Sequence, residues 1–179
     1  MAHLALEQDL SPQRWAGPGD TTYEFATEQN LASPEQRDLL AYWQSKRQGR
    51  LAPARAEINP KEIPSLLRNL HLYEVKEDGQ VFRLRLVGTE LVAAVGADPT
   101  GKVITRETRE PAYFERVFSC LQEGLAHRRP IRQTAVRTLA PRRDYTSAES
   151  LILPLSDDGR TVNMILVSTL FKDPEHTRD

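Results

Sequence analysis

The chain reads as an α+β domain, an antiparallel sheet with helices packed on it, and three features carry that reading. Two short apolar runs flank Glu77-Asp78-Gly79, which is turn chemistry, so residues 69–87 are expected to form a β-hairpin. After Pro111, the residues Phe114, Val117, Phe118, Leu121 and Leu125 recur at helical spacing and make one apolar stripe. Three further apolar runs follow, at 131–139, 145–155 and 161–171, separated by Ala140–Asp144 and by Asp157-Asp158-Gly159. The hairpin and these three runs predict a five-stranded antiparallel sheet with flanking helices.

Residues 1–32 are polar around Gly17-Pro18-Gly19-Asp20 and hold no period for long. They read as a flexible N-terminal arm, with a short added strand allowed near Tyr23–Phe25. Ser33-Pro34-Glu35-Gln36 is a helix start: an N-cap serine, proline at the first helical position, and Gln36 completing a capping box. Leu39, Leu40, Tyr42 and Trp43 then give one apolar face up to Gln48, and Gly49 stops the helix. Residues 50–68 are punctuated by proline, and Asn59-Pro60 with Glu62 looks like another helix start carrying Ile63, Leu66 and Leu67. Residues 33–68 are therefore assigned as an N-terminal helical cap. Residues 69–171 form the main domain, and 172–179 a polar tail.

In the second hairpin strand, Phe82, Leu84 and Leu86 fall on one face by strict alternation, with Arg83 and Arg85 on the other. Gly88 ends that strand, a short helix runs from Thr89 to Gly96, and Asp98-Pro99-Thr100-Gly101 turns the chain. In the last strand, Val162, Met164 and Leu166 point one way and Ile165, Val167 and Phe171 the other. A strand apolar on both faces must be buried on both, so it is expected at the centre of the sheet. The 111–127 helix would cover one face and the 34–48 helix the other.

The order of two strands, short helices, one longer helix and three antiparallel strands resembles a PAS domain. The local wording is similar to a group of stand-alone bacterial PAS-like proteins formerly catalogued as a domain of unknown function. The pieces that match are Tyr42-Trp43, Gly49 to Arg55, Pro60 to Pro64, Leu66-Leu67, Phe82 to Arg85, Leu86 to Thr89 and Gly96 to Gly101. The resemblance implies a PAS-like five-stranded antiparallel sheet holding a small pocket, and a role in sensing or in protein–protein signalling. It implies no known ligand, and no attached kinase or cyclase is visible.

Other chemistries fit less well. A net charge of −1 selects neither nucleic acid nor an anionic membrane as partner. No apolar run reaches membrane-spanning length, and the start lacks the pattern of a signal peptide, so a cytoplasmic protein without membrane insertion is expected. Gly96 to Lys102 matches G-x-x-x-x-G-K, but Val103 stands where a P-loop needs Ser or Thr. The histidines His3, His71, His127 and His176 are scattered, and Cys120 is the only cysteine, so no metal site and no disulfide is expected. His71 sits on a predicted core strand and reads as a hydrogen-bonded structural histidine. His127 lies at the very end of the long helix, away from where related domains hang a haem, and Cys120 lies inside that helix rather than in a flavin-reactive motif before it. Arg128, Arg129, Arg132, Arg137, Arg142 and Arg143 form a basic patch without interleaved aromatics, which reads as a solvated rim, with a surface for an anionic partner as the alternative. No catalytic triad or paired-carboxylate spacing stands out.

The functional expectation is a non-enzymatic signalling module that senses a small molecule, mediates protein–protein interaction, or both. No cofactor is predicted, and a small-molecule ligand of unspecified identity is allowed. A ligand would sit between the sheet and the 111–127 helix, lined by Tyr73, Phe82, Leu84, Tyr113, Phe118, Leu121, Met164 and Leu166. Arg83 and Arg85 would contact it only if the strand faces were reversed. One alternative is a pure dimerisation or interaction module with a filled core. Another is a small enzyme of a similar cone-shaped α+β fold, with His71 and a carboxylate as an acid–base pair. A cavity of roughly 300 Å3 or more favours the ligand, and a carboxylate in reach of His71 favours the enzyme. A homodimer is expected through the outer sheet face, with Leu39, Leu40 and Trp43 at the interface, together with a possible signalling partner.

Overall fold

The computed structural model describes residues 14–109, 112–135 and 147–172. In chain order the elements are β1 (Arg14–Ala16), β2 (Thr21–Phe25), α1 (Pro34–Arg47), β3 (Leu70–Lys76), β4 (Val81–Val87) and α2 (Thr89–Val95). They continue with β5 (Val103–Thr105), α3 (Ala112–His127), β6 (Ile131–Ala135), β7 (Ser147–Leu155) and β8 (Met164–Lys172). All strands join one antiparallel sheet in the order β1-β2-β6-β7-β8-β3-β4-β5. The fold is thus α+β, but the sheet has eight strands rather than five. The five expected strands are its contiguous centre, and β1, β2 and β5 extend the two edges. These three are short and carry no long apolar run, so they exist by pairing with an edge and not by their own pattern.

β1 and β2 lie within the stretch read as an arm. They form a hairpin whose turn places Gly19 at φ 63° and closes with Gly17 N–H donating to the Thr21 carbonyl at 2.9 Å. β2 then pairs along all of β6, from Thr21↔Ala135 to Phe25↔Ile131. Residues 1–13 of the assigned arm, the 136–146 turn with Arg137, Arg142 and Arg143, and tail residues 173–179 lie outside the described residues.

β8 lies between β7 and β3, at the centre, with both faces buried. Ile165 and Val167 join the core under α3, while Met164 and Leu166 face the core under α1. α1 starts as expected: the Ser33 hydroxyl accepts from the Gln36 N–H at 3.3 Å, and Pro34 opens the first turn. The Gln36 side chain does not close a capping box. It is buried, and its amide donates to the Glu149 and Ser168 carbonyls, riveting α1 to β7 and β8. Leu39, Leu40 and Trp43 pack with Leu151, Leu153, Leu155 and Leu166, and the Trp43 indole N–H donates to the Pro154 carbonyl at 2.8 Å. All three are at most 2 % exposed. They are consumed inside the chain, so the dimer interface expected at them is corrected: α1 lies with its whole apolar face on the sheet.

The helix expected near residue 60 is instead a series of 3-10 turns at Arg55–Glu57, Pro60–Glu62 and Pro64–Asn69. Pro60 and Pro64 each supply no N–H, which keeps a long α-helix from forming.

A second correction concerns β4. Leu72 pairs with Leu86, but the next residue, Tyr73, pairs with Leu84, so Arg85 is an extra residue in the strand. This bulge breaks the alternation. Phe82 and Leu84 point into the core under α3, whereas Leu86 is turned outward and Val87 takes the inner position.

α3 lies across the inner face with Phe114, Phe118 and Leu121 buried, as its stripe demands. Gly124 marks its closest approach to the sheet: a Cβ there would lie 2.7 Å from the Ile152 side chain.

Candidate functional site

The inner faces of β6, β7 and β8 form three rungs of cross-strand neighbours. Ile131, Ile152 and Val167 make the first, Gln133, Ser150 and Thr169 the second, and Ala135, Ala148 and Phe171 the third. The second rung is polar, and in the third Ala135 and Ala148 are small beside Phe171. A straight helix cannot follow that drop, so a cavity opens beneath α3 over the second and third rungs. From α3, Tyr113, Arg116, Val117, Cys120 and Leu121 close it, and Tyr73 of β3 adds one wall. Its volume is about 40 Å3.

The polar groups of this cavity are mostly committed and uncharged. The Ser150 and Thr169 hydroxyls are 3.0 Å apart, and the Tyr113 hydroxyl bonds Thr169. Burial pushes the Tyr73 and Tyr113 phenols and the Cys120 thiol above their ordinary ranges, so all three stay protonated at neutral pH. Arg116 carries the one formal charge among the described lining residues.

Of the residues expected to line a pocket, Tyr73, Tyr113 and Leu121 meet here. Phe82, Leu84 and Phe118 belong to the same core but fill it, with the Phe82 and Phe118 rings edge to face at 5.6 Å. Met164 and Leu166 are corrected: they lie on the opposite face of the sheet, because the inner parity of β8 is that of Ile165 and Val167. Arg83 and Arg85 are exposed on the outer face and contact no cavity group. Sequence reasoning missed Gln133, Ala135, Ala148, Ser150 and Thr169. The available signal was the alternation in Ile131-x-Gln133-x-Ala135 and Ala148-x-Ser150-x-Ile152, where inward positions carry small or polar side chains.

His71 lies on the inner face of β3 between Val87 and Val167, fully buried, with no side-chain partner for either ring nitrogen among the described residues and the Leu70 backbone as its polar neighbour. Burial pulls its pKa down to about 3, with a weak opposing pull from the Leu70 backbone, so the ring is neutral. No described carboxylate bonds it, and the acid–base pair of the enzyme alternative is not assembled.

A wider groove of about 360 Å3 runs alongside α3, bordered by Pro18, Arg106 and Arg109 and lined by Glu115, Ser119, Gln122 and Glu123. Several of its polar groups are engaged. Glu123 accepts from the Trp15 indole at 2.9 Å and pairs with His127 at 3.3 Å, and Glu115 faces Arg109 at 4.0 Å. Among the described residues no group of side chains could hold a metal ion, and no helix is long and apolar enough to cross a membrane.

A family model described as a PAS domain matches residues 31–168, from just before α1 to the middle of β8. No curated protein matches the chain.

Proposed function

The chain belongs to the PAS domain family, and from that premise we propose that it is a non-enzymatic signalling module that acts in the cytoplasm through protein–protein contacts. The observation that carries this reading is the size of the interior cavity. At about 40 Å3 it falls far below the roughly 300 Å3 at which small-molecule pockets begin. It has room for a few waters, each needing about 10–15 Å3, and not for a metabolite. The filled-core alternative is thereby favoured over small-molecule sensing as the main mode. A Cys120 thiol held protonated by burial fits a non-enzymatic role.

Small-molecule sensing remains as a second reading because of the polar rung Gln133, Ser150 and Thr169, all buried. A ligand there must be very small, or α3 must move outward to admit it.

Native mass spectrometry of the tagged chain, recovered from its own cells under mild conditions, tests both readings. The expected result is the bare chain mass plus a complex with a second protein in defined ratio. A stoichiometric small-molecule adduct with no protein partner overturns the interaction module in favour of the sensor.

A further inference from the structure

The three exposed large apolar residues among those described, Leu67, Leu86 and Val103, are 37 %, 39 % and 52 % exposed. They fall on one side of the molecule. Val103 pairs with Arg83 and, with its neighbour Ile104 buried in the core, faces outward from β5. Leu86 faces outward from β4 because the Arg85 bulge turns it there. Leu67 and Leu86 flank an apolar notch of about 30 Å3 with Ile63, Leu70 and Leu72 among its walls. Single exposed leucines mean little, but two that border one notch, with Val103 exposed on the same face of the sheet, mark a contact surface. A bulge that re-aims a side chain out of the core is a designed feature.

The outer sheet face has space for an occupant. α1 packs over β7 and β8, and one helix about 10 Å across covers about two strands at about 4.8 Å spacing. The 3-10 turns, tied to α1 by Lys46–Glu62 and Tyr42–Asn59, cover Leu70 and Leu72 of β3, and beyond them no described helix lies on the outer surface of β4 and β5. Its charges indicate which occupant fits. Lys76, Arg83 and Arg85 stand there with the carboxylate of Glu74 among them. Glu74 is shared between Lys76 at 3.2 Å and Arg85 at 3.6 Å, and Arg83 has no ion-pair partner among the described residues. A cationic field around an apolar notch is complementary to carboxylates around an apolar anchor.

We propose that the outer face of β4 and β5, built around Leu86, is a docking site for an acidic amphipathic helix of another protein, which lies beyond the 3-10 turns with an apolar side chain in the Leu67–Leu86 notch and its carboxylates on Arg83 and Arg85. This assignment rests on the interaction-module reading and names the surface and the partner chemistry for it. The flexible rim arginines set orientation and on-rate, and the notch sets residence time.

The probe is a fluorescent synthetic amphipathic helical peptide, leucine on one face and glutamate on the other, with a twin in which lysine replaces glutamate. Anisotropy titration should show the glutamate peptide binding at least about tenfold more tightly than the lysine twin, with affinity falling as salt is raised. Arg83→Glu with Arg85→Glu should reverse that preference. Leu86→Asp should abolish binding, and Leu67→Ser, also at an exposed position, should weaken it if Leu86→Asp disturbs folding. Equal binding of the two peptides, or none at millimolar peptide, overturns the proposal. So does a concentration-dependent dimer in sedimentation that Leu86→Asp dissolves, because a second copy then owns the surface. If the natural partner is recovered undiminished by Leu86→Asp, the module stands and this docking site falls. If the glutamate peptide binds with the stated preference and no partner is recovered from cells, the docking chemistry stands and the module reading falls.

Discussion

His71 is the residue whose environment is most at odds with its chemistry. A buried imidazole with no side-chain partner among the described residues gives up its hydration for little beyond the Leu70 backbone, and it stays in place because it is neutral. Its folded pKa, about 3, lies below the ordinary 6.5. As pH falls below about 6.5 the unfolded chain takes up this proton first, so stability drops through the window from about 6.5 toward about 3 and is fully present above it. His71→Leu should therefore lose less stability than the wild type between about pH 7.5 and about pH 5, a range above the ordinary carboxylate values. Urea melts at the two pH values measure this, and equal losses in the two proteins would show that His71 is not the acid-sensitive group. Arg132 shows how a charge is held when it is not neutralised. It bridges Glu24 and the nearly buried Glu149 at 3.0 Å each, and the other Glu149 oxygen accepts from the Ala32 N–H. That network ties β2, β6, β7 and the approach to α1 together and is structural.

At the scale of elements, α3 is the part most completely dictated by its own pattern. Phe118 packs edge to face on Phe82 and joins the inner core with Leu121. Phe118→Ala should cost about 3–5 kcal/mol of unfolding free energy, because the helix is pinned against the sheet at Gly124 and cannot settle into the space left. A loss under about 1 kcal/mol in urea melts would mean that α3 is free to collapse onto the sheet. β4 is the opposite case. Its alternation reads cleanly as Phe82, Leu84, Leu86, yet one extra residue sends Leu86 to the other face. Nothing local in Arg83-Leu84-Arg85-Leu86 marks that bulge, because register against β3 decides it. The neighbouring Gly88 is needed for another reason: a Cβ there would lie 2.2 Å from the Arg68 carbonyl oxygen, so only glycine lets the 3-10 turns close over the strand end.

For the whole molecule, two cores share one sheet. One lies under α3, the other under α1 and the 3-10 turns. The sheet cannot leave Leu151, Leu153, Leu155 and Leu166 in water, so α1 belongs to the folding unit and is not an appendage. Trp43→Asp would set a carboxylate among these leucines and remove the bond to Pro154, costing more than about 3 kcal/mol. A chain beginning at Pro60 should be poorly soluble and show no cooperative melt. A truncated chain as soluble and stable as the full one would show that the cap is dispensable. With the apolar face of α1 spent in this way, a second copy cannot pack on Leu39, Leu40 or Trp43, and sedimentation at micromolar concentration reads whether the chain self-associates at all.

The α+β class, the helix start at Ser33-Pro34, the stripe of α3 and the central place of β8 were legible in the sequence, because periodicity records which faces of an element must be covered. The cap over the outer face was legible for the same reason. The strand β1, the pairing of β2 and β5 onto the sheet edges, the outward turn of Leu86, the inner parity of β8 and the small size of the cavity were decided in the tertiary structure. Each depends on register between segments far apart in the chain, or on the summed volumes of side chains such as Gln133, Ser150 and Thr169 that meet only when three strands are aligned. Local pattern states that a face is apolar; only pairing states what stands opposite it and how much space is left between.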